Sequence, residues 1–211
     1  MSDDERRPDD EPAPEAGGQP EDSSADAAAE EAKKAGNRRA IRFLLTFGIS
    51  YALFQALYHG VILGSSLFTS YLGVTAKAGA GLLRVFGRNV QALGDRVSGE
   101  GFAVAVRSGC DGLEPMALLA LGVLSFPASW KKKIIGVVGG VGMLLFLNVV
   151  RVATLHEVGV RCELETFESA HLTVWPTILI FCAVAGWVGW MVWSQRPAKT
   201  ADAGDAEAAT T

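Results

Sequence analysis

Three side chains could together carry out acyl transfer: the thiol of Cys110, the guanidinium of Arg151 and the imidazole of His171. A cysteine sulfur attacks carbonyl carbons, a fixed cation stabilises the resulting oxyanion, and an imidazole exchanges protons near neutral pH. If the fold brings these groups together, they could cleave a peptide bond and pass its acyl group to another nucleophile.

Arg151 most needs an explanation, because a guanidinium inside an apolar helix is unfavourable unless it is paired or reaches water. A rise of about 1.5 Å per residue from Ile134 puts Arg151 roughly 25 Å across a hydrocarbon core of about 30 Å. Asn148 lies one turn earlier on the same helix face. An arginine at that depth could simply extend to the outer headgroups, so Arg151 alone does not indicate catalysis.

Cys110 and His171 also have ordinary interpretations when each is taken alone. A single cysteine is most often a small buried hydrophobe, and a histidine at the start of an apolar stretch is typical of a membrane interface. The helix start after Cys110 favours its thiolate, whereas Asp111 and Glu114, which resemble a capping pair, act in the opposite direction. The sequence therefore leaves the ionisation of this thiol open.

Four apolar stretches must position these groups: residues 41–63, 113–129, 134–155 and 172–193. Each is read as a transmembrane helix, which predicts an all-α polytopic membrane protein. Basic residues lie before the first stretch, between the second and third, and after the fourth: Lys33, Lys34, Arg38, Arg39, Arg42, Lys131, Lys132, Lys133, Arg196 and Lys199. The positive-inside tendency predicts that all three clusters, and both termini, are cytoplasmic.

This orientation places residues 64–112 and 156–171 on the outer face. Residues 67–86 have apolar residues at helical spacing interrupted by polar ones, which predicts an interfacial helix or, alternatively, a fifth shallow span. Residues 90–106 alternate with period two around turn formers and predict a small β-hairpin. In the third stretch, four glycines would allow close helix packing: Gly136, Gly139, Gly140 and Gly142.

The chain is expected to have three parts. Residues 1–37 are acidic, contain almost no residues that could form a core, and predict a disordered cytoplasmic tail. Residues 38–194 form the transmembrane domain, and 195–211 form a polar cytoplasmic tail. The net charge of −4 and the absence of a basic surface argue against nucleic-acid binding.

The cysteines give no metal signature. Cys110, Cys162 and Cys182 contain no CxxC pair, so neither a structural zinc site nor any other metal or cofactor is predicted. Cys162 is expected on the same outer face as Cys110. A disulfide between them is conceivable in an oxidising compartment and would disable Cys110 as a nucleophile.

The number of crossings brings Cys110, Arg151 and His171, each from a different helix, to one face at similar depth. At these residues the sequence reads Cys110-Asp111-Gly112, Asn148-Val149-Val150-Arg151 and, later, His171. This pattern resembles the exosortase/archaeosortase family of membrane cysteine transpeptidases, over about residues 42–193. Segments such as Phe167-Glu-Ser-Ala-His-Leu are most similar to the exosortase H subgroup.

The resemblance implies a bacterial inner-membrane enzyme with a periplasmic active site. Its partners would be exported proteins with a C-terminal sorting signal: a short motif, a hydrophobic helix and a basic cluster. For the H subgroup, the expected motif contains Ile-Pro-Thr-Leu. Cys110 would form a thioester, Arg151 would stabilise the oxyanion and His171 would protonate the leaving amine, with Asn148 and Gly112 in support.

Two other classes of function remain open at this point. A membrane thiol redox protein would also have few spans and outer-face cysteines, although the lack of CxxC argues against it. A noncatalytic transporter or assembly subunit could use Arg151 to pair with a carboxylate on a partner helix, and would tolerate replacement of Cys110.

Overall fold

The computed structural model describes residues 21–196, with side chains from residue 26. The predicted polar tail from 197 onward and the first 20 residues of the predicted acidic tail lie outside this range. Within it, the chain forms two compact units, and the boundary falls between Arg42 and Phe43.

Helix α1 spans Glu21–Leu57 and therefore begins inside the segment 1–37 for which the sequence predicted disorder. This part of the helix is rich in alanine, the residue with the highest helix propensity. Glu30 and Lys34 form an ion pair at 2.9 Å with the spacing that links successive helical turns. These local preferences account for a helix that has little to bury.

From Phe43 onward, the chain combines helices with one small sheet. The elements after α1 are a π turn at Tyr58–Ile62, α2 at Ser66–Val85, β1 at Val90–Leu93, β2 at Arg96–Gly99, β3 at Phe102–Ala105, α3 at Leu113–Ser125, α4 at Trp130–Arg161, α5 at Leu164–Ser169, a second π turn at Ala170–Val174, and α6 at Trp175–Ser194.

Three helical segments within residues 21–196 are long and apolar enough to cross a membrane: Asp26–Ile62, Trp130–Arg161 and Leu164–Ser194. Many of their large apolar side chains are exposed, as expected of helices in contact with lipid. Among these side chains are Leu44, Ile49, Leu53, Ile134, Phe146 and Phe181. The all-α polytopic class is confirmed.

The second predicted span, residues 113–129, is shorter than expected. Helix α3 has 13 residues, about 20 Å of helix against a hydrocarbon core of about 30 Å. It ends because Phe126 precedes Pro127 and adopts an extended conformation, φ −76° and ψ 140°. Within residues 21–196, three helical segments therefore have the length of a span, and α3 is a shorter apolar helix beside them.

Helix α4 is shared by two apolar cores. Its first half packs with α3 and α6 around Leu119, Leu144, Leu179, Ala183 and Trp190. Its second half packs against α2 and the sheet through Val152 and Ala153. Two of the four predicted glycine positions are close contacts: Gly136 lies against Trp190 and Gly140 against Leu119, whereas Gly139 and Gly142 face open space.

The sheet has three strands, not the two of the predicted hairpin. Strands β1, β2 and β3 pair antiparallel in sequence order, with Leu93 opposite Arg96 and Val97 opposite Val104. The turn formers between the two predicted strands enclose a strand of their own, β2, with a tight turn on either side. That strand exists because fully buried Val97 packs into the core beside α2.

Candidate active site

Cys110 lies in the tight loop that joins β3 to α3. Its N–H donates to the Arg107 carbonyl at 2.8 Å, and the flanking Gly109 and Gly112 have φ of 82° and 78°. Positive φ favours glycine, and at 112 a Cβ would also approach the Asn148 Cγ atom to 2.9 Å. The loop thus needs glycine where the sequence has it, directly before the first turn of α3.

Asp111 attaches this loop to the rest of the fold. Its backbone carbonyl accepts from Tyr71 Oη at 2.6 Å and from Asn148 Nδ2 at 2.9 Å. Its carboxylate accepts from Tyr58 Oη at 2.5 Å and from the Leu113 N–H at 2.7 Å. Asp111 therefore accepts from the first N–H of α3, and it also connects the loop to three other helical elements.

Glu114 does not complete the expected capping pair. Its carboxylate instead accepts from Gln55 Nε2 at 3.5 Å, and the cap residue of α3, Gly112, has no side chain to return a hydrogen bond. The helix start is therefore fixed by Asp111 alone among these acidic residues. This leaves the Glu114 carboxylate beside a small pocket.

The thiol, guanidinium and imidazole lie in direct contact. Cys110 Sγ is 2.9 Å from His171 Nε2 and 3.6 Å from His171 Nδ1. Arg151 Nη2 donates to Cys110 Sγ at 3.2 Å and to the His171 backbone carbonyl at 3.1 Å. Residues separated by 20 to 61 positions in the sequence thus form one site.

Arg151 does not extend to the headgroups. It is only 2% exposed, and both of its acceptors in the described residues belong to Cys110 and His171. No carboxylate between residues 26 and 196 pairs with it, and its Nε–H has no acceptor there. A buried cation with an unused donor is suited to receive a negatively charged oxygen.

The His171 ring is held by an aromatic stack. Its ring stacks on Phe167 with centroids 5.6 Å apart and an interplanar angle of 17°. Phe167 in turn packs edge-on against Phe102 of β3. The stack directs Nε2 toward the sulfur, the geometry that a proton acceptor for the thiol requires.

Burial raises the pKa of the Cys110 thiol above its ordinary value. The Arg151 cation opposes this shift and the Asp111 carboxylate adds to it, so the pKa is raised overall. This direction of the pKa shift favours the neutral thiol over the thiolate. With an imidazole nitrogen 2.9 Å away, the proton can leave as the sulfur attacks.

A pocket of about 110 Å³ adjoins Arg151. Since water occupies about 30 Å³ in the liquid, this volume suits a few waters or one small group of a substrate. Its lining combines apolar side chains with one carboxylate and one cation, and includes Tyr51, Glu114, Leu118, Arg151, Pro176 and Ile180. A substrate carbonyl could enter beside the guanidinium through this space.

The other cysteines and histidines are not part of the site. Cys162 is exposed at the end of α4, and all three cysteines of the described range are free thiols. His156 is buried beside the Gly99 carbonyl, with a nitrogen-to-oxygen distance of 3.2 Å. No group of three or more potential metal ligands occurs within residues 21–196.

The sequence did not single out Tyr58 and Tyr71, which hold the Cys110 loop through Asp111. Their only sequence signal is a phenol within a mostly apolar segment, because the hydroxyl of a buried tyrosine usually needs a hydrogen-bond partner. That signal identifies neither partner, because Asp111 lies 53 and 40 residues away along the chain.

One known protein family matches most of the chain. A family model described as transmembrane exosortase (Exosortase_EpsH) matches residues 36–188, which include Cys110, Arg151 and His171. No curated protein and no solved structure matches the chain. The family match covers well over half of the sequence, and the chain belongs to the transmembrane exosortase family.

Proposed function

We propose that this protein is a cysteine peptidase and transpeptidase that cleaves C-terminal sorting signals of exported proteins through a thioester. Membership of the exosortase family supports membrane transpeptidase activity in general. The observation that carries the finer proposal is the contact of Cys110 Sγ with both His171 Nε2, at 2.9 Å, and Arg151 Nη2, at 3.2 Å. A nucleophile, a base and a cation within one hydrogen-bonded group supply the attack, the proton transfer and the oxyanion stabilisation that acyl transfer uses.

In the first step, Cys110 Sγ forms a bond to the scissile carbonyl carbon while its proton moves to His171 Nε2. The carbonyl π electrons move to oxygen, and the oxyanion accepts hydrogen bonds from Arg151. Nη2 already contacts the sulfur and the His171 carbonyl, so the unpaired Nε–H is available as a donor. The tetrahedral intermediate thus forms beside a buried positive charge.

In the second step, the carbon–nitrogen bond breaks and His171 gives its proton to the leaving amine. A thioester between Cys110 and the substrate remains. Water or an amine then attacks that thioester, His171 removes the proton from the attacking group, and the thiol is regenerated. The raised pKa of Cys110 favours a proton transfer coupled to attack over a preformed thiolate–imidazolium pair.

The proposed orientation in the bacterial inner membrane has both termini in the cytoplasm and the site toward the periplasm. Lys132 at the start of α4 donates to the Ser194 carbonyl at 2.5 Å and the Arg196 carbonyl at 3.4 Å. The Lys131–Lys133 cluster and the end of α6 therefore lie together, at the helix ends opposite Arg151 and His171. Basic residues at one end favour the cytoplasmic side.

The substrate would enter from the bilayer, with its hydrophobic helix beside the exposed apolar faces of the spans. Its short motif would then reach Cys110 at the membrane surface, where an Ile-Pro-Thr-Leu type of motif is proposed from the resemblance. The basic cluster of the signal would lie on the cytoplasmic side. The exported protein would be released from this anchor when the thioester forms.

The test is co-expression of Cys110→Ala with an exported reporter carrying a sorting signal of this kind. We expect no cleavage, and wild-type enzyme mixed with reporter should give an adduct that hydroxylamine releases, as a thioester does. Cys182→Ala, on α6 and outside the site, is the matched control and should process normally. Normal cleavage by Cys110→Ala would refute the proposed mechanism.

A further inference from the structure

The backbone carbonyl of His171 has an acceptor role that helical carbonyls rarely have. In a regular α-helix it would accept from the N–H of residue 175, four positions later. Here the chain widens into the π turn Ala170–Val174, and the Trp175 N–H donates to the Ala170 carbonyl instead. The His171 carbonyl thereby loses its ordinary main-chain donor.

Pro176 removes the next possible donor. In a continued π turn the His171 carbonyl would accept from residue 176, five positions later. Proline has no N–H, so this bond cannot form and the π pattern stops where α6 begins. The carbonyl is consequently free for Arg151 Nη2, which donates to it at 3.1 Å.

The same nitrogen of Arg151 also contacts Cys110 Sγ at 3.2 Å. These are its two acceptors within the described chain, and the guanidinium is almost fully buried. The His171 carbonyl therefore accounts for half of the hydrogen bonds that fix the guanidinium beside the sulfur. Pro176 additionally lines the pocket next to Arg151.

We infer that Pro176 is a positioning residue: by lacking an N–H, it reserves the His171 carbonyl for Arg151 and so holds the guanidinium at the thiol. This inference rests on the proposed function, because its consequence is a rate of acyl transfer. Pro176 would act through Arg151 and not through contact with the reacting atoms. The main chain at the start of the fourth predicted span thus helps to position the guanidinium that would stabilise the oxyanion.

Pro176→Ala tests this by restoring an N–H that can bond the His171 or Leu172 carbonyl. We expect kcat for reporter cleavage to fall about tenfold to a hundredfold, less than the roughly hundredfold to thousandfold of losing an oxyanion donor outright, with KM little changed. Pro176→Ser should behave alike, because it carries the same N–H. Pro127→Ala, in the loop between α3 and α4, is the matched proline control and should keep its kcat.

A sharper variant separates the N–H from loss of the proline ring. Lactic acid incorporated at 176 has the methyl group of alanine but an ester oxygen in place of the N–H. We expect this ester variant to regain most of the kcat that Pro176→Ala loses. Equal kcat in the alanine and ester variants, or wild-type kcat in Pro176→Ala, would overturn the inference.

A second readout does not depend on turnover. In a background of Cys162→Ala and Cys182→Ala, the pH profile of iodoacetamide labelling reports the Cys110 thiol alone. Pro176→Ala should shift this profile to higher pH, because a displaced guanidinium no longer stabilises the thiolate, and the ester variant should not. An unshifted profile in Pro176→Ala would also overturn the inference. Cleavage by Cys110→Ala, by contrast, would refute the function itself.

Discussion

The two halves of α4 have different roles: the first packs the helix bundle and the second contributes to the candidate active site. The first half, with Gly136, Gly140 and Leu144, packs against α3 and α6 through apolar contacts. The second half contributes Asn148 and Arg151, both buried and hydrogen-bonded to the Cys110 loop or His171. The first half depends on the close fit of apolar side chains, whereas the second depends on individual donors and acceptors.

This contrast follows from the physics of membrane helices. Apolar packing in lipid gains little from burial as such, so close approach at small residues stabilises the bundle. Hydrogen bonds to buried polar groups, by comparison, are lost abruptly when a partner moves, because the unpaired group retains its desolvation penalty. Changes at the glycine end should therefore alter stability, and changes at the polar end should alter reactivity.

The largest effect is expected at the polar end, from Arg151→Lys. Lysine keeps the charge but offers one nitrogen, which cannot contact Cys110 Sγ and the His171 carbonyl while a separate donor reaches the oxyanion. We expect kcat for reporter cleavage to fall about a hundredfold to a thousandfold. Lys132→Arg, at the other end of α4, is the control. Similar rates for Arg151→Lys and wild type would contradict the view that the polar half of α4 controls reactivity.

At the glycine end, Gly136→Ala and Gly139→Ala form a matched pair one turn apart. A Cβ at 136 would collide with the rigid indole of Trp190, whereas a Cβ at 139 meets nothing within 4 Å. We expect Gly136→Ala to lower the free energy of unfolding by about 1 to 3 kcal/mol and Gly139→Ala to leave it nearly unchanged.

Thermal unfolding in detergent measures the glycine pair, and reporter cleavage at a temperature where both variants are folded completes the test. Cleavage rates should match the wild type in both. Equal stability of the two variants would show that the contact of Gly136 with Trp190 does not hold the bundle together.

A smaller loss is expected from Tyr71→Phe. The phenol donates to the Asp111 carbonyl at 2.6 Å, and one hydrogen bond contributes about 0.5 to 1.5 kcal/mol. If this bond holds the Cys110 loop in its reactive position, kcat should fall roughly twofold to tenfold. Ser70→Ala, which removes a hydroxyl that bonds only to the Ser66 carbonyl within α2, is the control. An unchanged kcat in Tyr71→Phe would show that this hydrogen bond to the Cys110 loop does not contribute to catalysis.

The smallest effect is a shift in pH dependence. Because burial and Asp111 raise the pKa of Cys110 while Arg151 lowers it, the thiolate forms only above the pH at which an ordinary cysteine ionises. Asp111→Asn should therefore move the alkylation profile of Cys110 to lower pH, and Arg151→Gln should move it to higher pH. Shifts in the reverse directions would contradict this electrostatic account.

Much of the fold and of the site was predictable from local properties. Long apolar stretches identified the spans of α1, α4 and α6, and the motif residues Cys110, Arg151 and His171 were singled out because their chemistry is unusual beside such stretches. The details that differ from the prediction are ones that a few residues decide. Pro127 shortened α3, and buried Val97 turned a predicted loop into a strand.

The sequence by itself determined which segments are apolar helices and which side chains could do chemistry, because hydropathy and reactivity belong to individual residues and their neighbours. Only the tertiary structure decided that Asp111 joins the Cys110 loop to Tyr58, Tyr71 and Asn148, and that burial raises the thiol pKa. These features depend on contacts between residues at least 37 positions apart, which helix packing and turn geometry create and local pattern does not encode.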